Sequence, residues 1–536
     1  MLFIQNPPPF VDISARALPG VVTTCGSPAK DYILEVNGGG VLLADFDGDG
    51  RLDLLLVDGS TSERARKGEP GLPPRLFLGK GDGTFQPASD AWKLDGGRFG
   101  MGGAVGDIDN DGWPDVVLTQ WGPTRVIRNQ EGQGFRELTA DAGLGPGSWG
   151  SSAALFDADR DGNLDLFVAN YLDFDFARIE SRMQGNCRWK GHPVMCGPEG
   201  LTPLAAQFYR GLGDGRFVER SKEAGIAAVK PGFGLGVISL DYDRDGDADL
   251  YVANDSTPNH LFENRGDGSF AEVGFARGVS HDANGREQAS MGIACADANN
   301  DGREDLFVTN FSGENNVLYL SAAKGPGFRE RSGQAGLAAP SLPLLGWGTA
   351  FGDFDLDGRL DLFVLNGHVY PQADLPGTDT SYAQADLFHR GLEGGKFSTE
   401  PLSGSAPAVS RASAVGDLDN DGDLDIVAVV VDGPVRVLLN QSAHGEGRGW
   451  LRVGLRQPRL NRFALGARVT LVWKDQERSA EIRTAGGYQS AVAPEAHFGL
   501  GVRGKPERIR VRWPDGVEQD FECAGTDRVL VLERKP

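Results

Sequence analysis

The sequence is short of cysteine, of basic charge and of long apolar runs, and each shortage removes a class of protein. Five cysteines in 536 residues are too few for a disulfide scaffold. No apolar stretch reaches the ~18 residues that cross a bilayer as a helix. One of the longest, Ile426-Val427-Ala428-Val429-Val430-Val431, has six residues. Lys plus Arg number 53 against 75 Asp plus Glu, a net charge of -22, so the chain lacks the basic face that a phosphate backbone needs and nucleic acid is excluded as a partner. The opening MLFIQNPPPF has neither the basic start nor the long apolar stretch of a secretory signal. There is no G-x-S-x-G, no H-E-x-x-H and no Walker loop. What is plentiful is Gly, with 77 residues, and Pro, with 30, beside a 40% hydrophobic content that can still build a core. That balance predicts many short strands joined by turns.

One motif, D-x-D-x-D-G-x-x-D, recurs seven times. The copies are Asp45, Asp47, Asp49, Asp53; Asp107, Asp109, Asp111, Asp115; Asp157, Asp159, Asp161, Asp165; and Asp241, Asp243, Asp245, Asp249. Asp297, Asn299, Asp301, Asp305 follow, with Asn in the second place, then Asp353, Asp355, Asp357, Asp361 and Asp417, Asp419, Asp421, Asp425. From Asp45 to Asp417 is 372 residues, a mean period of 62 over six intervals, about what one four-stranded propeller blade occupies. Each copy sits between an apolar run and a β-rich run such as Leu164-Asp165-Leu166-Phe167-Val168, so it is a hairpin loop. A third segment such as Arg75-Leu76-Phe77-Leu78 and a fourth opening at Gly83-Thr84-Phe85 complete the repeat. The expected fold is all-β: a seven-bladed propeller over residues 1–443, followed by a small, separate β domain over 444–536. The seventh repeat lacks its last strand, and Phe10-Val11-Asp12-Ile13-Ser14 matches the missing pattern, so the N-terminus is expected to close the ring.

Calcium is a hard cation that takes six to eight oxygens, and carboxylates at positions 1, 3 and 5 of a tight loop converge on one point. Gly at position 6 permits the turn, the position 7 carbonyl adds a ligand, and the Asp at position 9 completes the set. No thiol or imidazole lies in these loops, which disfavours zinc and copper. The competing reading is a set of metal-free Asp/Gly turns, against which stands the repulsion of carboxylates held ~4 Å apart. Calcium at up to seven sites is therefore expected. Seven ions would bring the charge from -22 to -8, so much of the acidity is accounted for as ligand.

The Asp loops resemble FG-GAP/VCBS repeats, and Asn461-Arg462-Phe463-Ala464-Leu465-Gly466, Gly486-Gly487-Tyr488-Gln489-Ser490 and Val511-Arg512-Trp513-Pro514-Asp515-Gly516 resemble the UnbV/ASPIC domain. The pairing is similar to the cartilage acidic protein family and its bacterial relatives. The resemblance implies a calcium-binding, usually exported protein, extracellular or periplasmic, although the chain shows no signal peptide and the sequence alone leaves the cytoplasm open. Cys187 and Cys196, nine residues apart in a Gly/Pro-rich stretch, are spaced to close one loop, and export implies that they are disulfide-bonded.

The interval from the third to the fourth motif is 84 residues against 56 for each of the next two, which places an insertion of about 28 residues on the face opposite the Asp loops. That face is the expected ligand face. Its candidates are Arg411, as a cation for an anionic group, Trp347 as a stacking ring, and His368, Asp255, His281 and Glu287 around a funnel. Two functions fit: a recognition module, binding a protein, glycan or small molecule as a monomer, or a metal-stabilised enzyme of the lyase, hydrolase or cyclase type with its site in the funnel.

Overall fold

The computed structural model describes residues 9–179, 181–442 and 448–535, so the expected boundary at 443/444 lies outside the described residues. Among the described residues no helix exceeds the six of Ser62–Lys67, and none is long and apolar enough to cross a membrane. Seven four-stranded antiparallel units follow one another instead. The first is Gly40–Ala44, Asp53–Val57, Arg75–Gly79 and Phe85–Pro87, and the fourth is Gly234–Leu240, Asp249–Asn254, His260–Asn264 and Phe270–Glu272. The first strands of successive units lie side by side, and Ser410–Gly416 of the seventh packs on Gly40–Ala44 of the first, which closes a propeller-type ring. The seventh unit takes its fourth strand from the other end of the chain: Val11–Asp12 pairs with Arg436–Leu439 in the register Val11 to Leu439.

The acidic loop joins the first and second strands of every unit. Its ninth residue opens the second strand and acts as a staple. The Asp53 carboxylate accepts the N–H of Phe46 inside the loop and of Gly79 at the end of the third strand, both at 2.8 Å. Asp115, Asp165, Asp249, Asp305 and Asp425 repeat the arrangement, each bridging its loop to its third strand. Charge-assisted bonds of this kind are about twice as strong as neutral ones, so the motif carries part of the fold as well as a possible ligand.

The C-terminal part forms two sheets that dock on the ring. Its two sheets are Gly449–Arg456, Glu495–Gly501 and Arg528–Glu533, and Arg468–Val472, Glu477–Glu481, Arg508–Arg512 and Glu518–Glu522. Their core, with Leu451, Val469, Ile509 and Trp513, is continuous with Ala153, Leu155 and Leu164 of the third unit. Between them a hairpin, Ala485–Gly486 and Ser490–Ala491, enters the ring. Ala491 pairs in parallel with Leu42, and Gly487 exchanges two 2.9 Å hydrogen bonds with Ile293. At the hairpin tip Tyr488 is fully buried, its ring 4.9 Å from that of Trp347. Gly40 and Gly102 on the first strands are small because this hairpin passes them: a Cβ on either would meet the Gln489 carbonyl oxygen at 2.1 or 2.4 Å. The alternating pattern of residues 450–536 announces a β domain, but docking depends on three-dimensional fit that strand periodicity does not encode.

Candidate metal centres and the two faces of the ring

In all seven loops the residue at position 4 has a left-handed backbone, Gly48, Asn110, Arg160, Arg244, Asn300, Leu356 and Asn420, and so does the Gly at position 6, with φ between 82° and 100°. This double turn gathers the carboxylates. Oxygens of Asp45, Asp47 and Asp53 lie within 4.8 Å of one another, and the same holds for Asp107, Asp109, Asp115, for Asp157, Asp159, Asp165 and for Asp241, Asp243, Asp249. In the sixth loop the trio is Asp353, Asp355 and Asp357. The position 6 N–H of Gly50, Gly112, Gly162, Gly302 and Gly358 donates to one oxygen of the first Asp in its loop, at 2.7 to 3.0 Å. The other oxygen of Asp157 and Asp353 is buried with no hydrogen-bond partner, as is Oδ1 of Asp241 and of Asp417. Such orphaned anionic oxygens are costly unless a cation meets them, and a donor set made only of oxygens suits a hard ion.

Burial, reinforced by the neighbouring carboxylates, pushes Asp53, Asp107 and Asp157 up to about 7 and Asp305 to about 8. The loops are not left wholly uncompensated, however, which corrects the repulsion argument drawn from the sequence. Arg128 pairs with Asp109 and, at 3.1 Å, with Asp111; Arg210 reaches Asp159 and Asp161 at 2.9 and 2.8 Å; Arg390 lies 3.3 Å from Asp355. These arginines share one position, immediately before the third-strand residue whose N–H meets the ninth Asp, in Arg128-Asn129, Arg210-Gly211 and Arg390-Gly391. That recurrence was visible in the sequence and is the signal that could have found them. Asp423, at position 7 of the last loop, is a further addition: its side chain is buried and pushed up to about 10, although a carbonyl alone was expected there.

The opposite face carries a packed aromatic cluster. Residues 25–36 and the insertion bring Tyr32, Phe174 and Phe176 together in edge-on contacts of 4.8 to 6.1 Å over Trp121 and Trp149. Cys187 and Cys196 are bonded to each other, and the short hairpin they flank lays Trp189 on His368 and Tyr370, ring centres 4.6 and 5.6 Å apart.

Arg411 is not a surface cation. It is 0% exposed, its guanidinium donates to the carbonyls of Val36, Gly367, Ser410 and His368, and it stacks 4.1 Å above Trp347, itself bonded to the Gly367 carbonyl. His368 is equally buried and held neutral, pushed down to about 3 by burial. These three form a buried strut under the ring centre, because the loops of two other segments fold over them. Asp255, His281 and Glu287 stay nearer the surface: Asp255 accepts from the Tyr171 and Ser256 hydroxyls, His281 Nδ1 meets Ser280 Oγ at 2.6 Å, and Glu287 is exposed. Replacing Arg411 by Ala should therefore cost about 3–5 kcal/mol, since the carbonyls of Val36, Ser410 and His368 lose this donor and a cavity opens. Urea unfolding would check it; a change within ~0.5 kcal/mol would mean that the site behaves as surface.

A cavity of about 230 Å3 lies on the acidic-loop face, between the first strands of the fifth to seventh units and the C-terminal sheets. Its wall includes Ile293, Phe351, Val415 and Phe498, and at one side a buried cluster in which Arg483 joins Glu304 at 2.6 Å and Glu481 at 3.3 Å. None of the six ligand-face candidates lines it.

Fold and loops together define the class: an all-β, propeller-type protein with acidic hairpin loops and a C-terminal β module on the loop face. Models of the FG-GAP-like repeat match residues 45–118, 107–168, 241–308 and 297–364, and that of ASPIC and UnbV matches 457–536. The chain thus combines FG-GAP-like repeats with a C-terminal domain of the ASPIC and UnbV type. It is 28% identical over 465 residues to cartilage acidic protein 1 of Homo sapiens, covering 81% of this chain and 64% of that protein, and so spans less than two thirds of that relative. With cartilage acidic protein 1 of Xenopus tropicalis it shares 26% over 506 residues, 89% of this chain and 70% of the other. Among solved structures it is similar to the BP39L lectin of Burkholderia pseudomallei, at 13% identity and a TM-score of 0.43, over 76% of this chain and 98% of the lectin.

Proposed function

We propose that the protein is a calcium-rigidified seven-bladed propeller, residues 1–443, closed by a C-terminal β domain, residues 444–536, and that it serves outside the cytoplasm as a recognition module for a protein or glycan. The observation that carries the calcium reading is the orphaned buried oxygen on the first Asp of four loops, Asp157, Asp241, Asp353 and Asp417. The carboxylates at positions 1, 3, 5 and 9, with the position 7 carbonyl, would hold each ion. A bound ion would supply positive charge and cross-link the loop to the second strand of its unit. Export is supported by the Cys187–Cys196 bond, since disulfides persist in oxidising compartments. Recognition is assigned to the face opposite the loops, where Asp255 bonds Tyr171 at the start of the disulfide-clamped insertion and His281 and Glu287 lie nearer the surface, with Arg411, Trp347 and His368 as buried support. A ring of short strands braced by charge-assisted staples suits presentation of such loops without deforming.

Terbium tests the metal reading. The Trp113 ring packs against Gly48 of the first loop, so a lanthanide in the first or second loop sits beside an indole antenna. Sensitised terbium emission that calcium displaces, and that Trp113→Phe diminishes, is expected. No emission, or emission indifferent to calcium, would argue for metal-free turns.

A further inference from the structure

The seven loops are not equivalent, and the difference comes from the C-terminal sheets. At the position 6 glycine a Cβ would meet Arg462 in the second loop at 3.0 Å, Leu460 in the third at 2.7 Å, Arg512 in the fourth at 2.1 Å, Arg478 in the sixth at 2.4 Å and Trp450 in the seventh at 1.8 Å. At Gly50 of the first loop and Gly302 of the fifth there is nothing within 4 Å. At this glycine five loops are covered by residues of the C-terminal part and the first and fifth are not, although Arg483 still pairs with Glu304 at position 8 of the fifth.

Two arginines of the C-terminal sheets, Arg452 and Arg512, also grip the first Asp of a roofed loop. Arg452, 7% exposed, donates from Nη1 to Oδ2 of Asp417 at 2.8 Å while its Nε lies 3.2 Å from Glu495. Arg512 reaches Oδ2 of Asp241 at 3.4 Å and the carbonyl of Asp245 at 3.3 Å. In both aspartates the oxygen left over, Oδ1, is the buried one with no partner. One oxygen is fixed by the arginine and the other is free for an ion. The seventh loop is closed further by His497, whose Nε2 donates to the Gly422 carbonyl at 2.9 Å.

We infer that the C-terminal sheets are a calcium lock: they divide the loops into an open, fast-exchanging pair, the first and fifth, and a roofed, slowly exchanging set of five, with Arg452 and Arg512 as positioning residues for Asp417 and Asp241. This rests on the calcium reading above. The physical reason is twofold. A hydrogen-bonded partner orients a ligating carboxylate, and losing it typically lowers metal affinity roughly 10- to 100-fold. A roof removes the path by which water replaces a departing ligand. By linkage, ions in the roofed loops hold the C-terminal sheets down as firmly as those sheets hold the ions.

The test is calcium release from the full chain into excess fluorescent chelator, followed by stopped flow. Two phases are expected, with fast and slow amplitudes in the ratio of two to five. Arg452→Met and Arg512→Met should each move one equivalent out of the slow phase, accelerating it roughly 10- to 100-fold, and the double variant should move two. Arg508→Met is the control, since Arg508 pairs with Asp520 away from the loops, and should change neither phase. Melting of each variant in EGTA reports whether its fold is intact, and circular dichroism confirms it. A single release phase, or variants that keep the slow amplitude and rate of the parent, would overturn the lock while leaving calcium binding intact. Absence of any released calcium would instead overturn the calcium reading itself, and the two failures are distinguishable from the total amplitude.

Discussion

Chelating calcium from the loaded protein with EGTA should lower its unfolding temperature by about 12 °C. At free calcium 100-fold above Kd one site adds about 2.7 kcal/mol, so five filled sites contribute about 13.5 kcal/mol, and each kcal/mol moves the midpoint by about 0.9 °C in a chain of this length. The structural reason is local. The ninth Asp of six loops already ties loop to third strand through two N–H bonds, so an ion that binds Asp53 or Asp165 from the other side couples three strands at once. Without it, burial holds these carboxyls well above their usual range, and at neutral pH ionisation works against the folded loop. Differential scanning calorimetry in EGTA and in excess calcium measures the shift; coincident transitions would contradict it.

The second large effect concerns the C-terminal sheets. A chain ending at residue 442 should not survive as a well-folded monomer. Truncation withdraws Tyr488 from beneath Trp347 and exposes the apolar surface that Ala153, Leu155 and Leu164 share with Leu451, Val469 and Trp513. Each large side chain so exposed costs about 1.5–3 kcal/mol, and an exposed apolar patch of that extent invites association. The finer variant Tyr488→Ala should cost ~3–5 kcal/mol, the usual range for emptying an aromatic site. Light scattering coupled to gel filtration checks the first, and urea unfolding the second. A monomeric 442-residue chain that melted like the full protein would make the C-terminal part a separable domain after all.

The contrast between loops and faces shows which features a linear sequence records. Asp45 to Asp53 and its repeats are legible because a metal loop is local: ligands, turn glycine and flanking strands lie within nine residues. The closing strand Val11–Asp12 is legible for a related reason, as a pattern missing at one end of the repeat array reappears at the other. The burial of Arg411 is not legible because its environment is assembled from residues 36, 367, 368 and 410, and only the folded ring brings the Val36 and Gly367 carbonyls within 3.0 Å of one guanidinium. The Gly486-Gly487-Tyr488 hairpin carried a strong signature but no address: nothing in its spacing says that it inserts between Leu42 and Ile293. The roofing of five loops is a property of the same docking, so the difference between Gly50 and Gly422 is invisible in two copies of one motif.

The central claim is that the acidic loops are calcium sites, and the most direct measurement is the number of calcium ions each chain retains. The protein is dialysed to equilibrium against buffered free calcium in excess magnesium, and calcium and protein are then quantified by elemental mass spectrometry. Five to seven ions per chain are expected, falling by one in Asp353→Asn and by one in Asp157→Asn while the other sites stay filled. A plateau of one ion or none, with the two variants unchanged, would contradict the account and leave seven acidic turns held by their arginines and backbone staples alone.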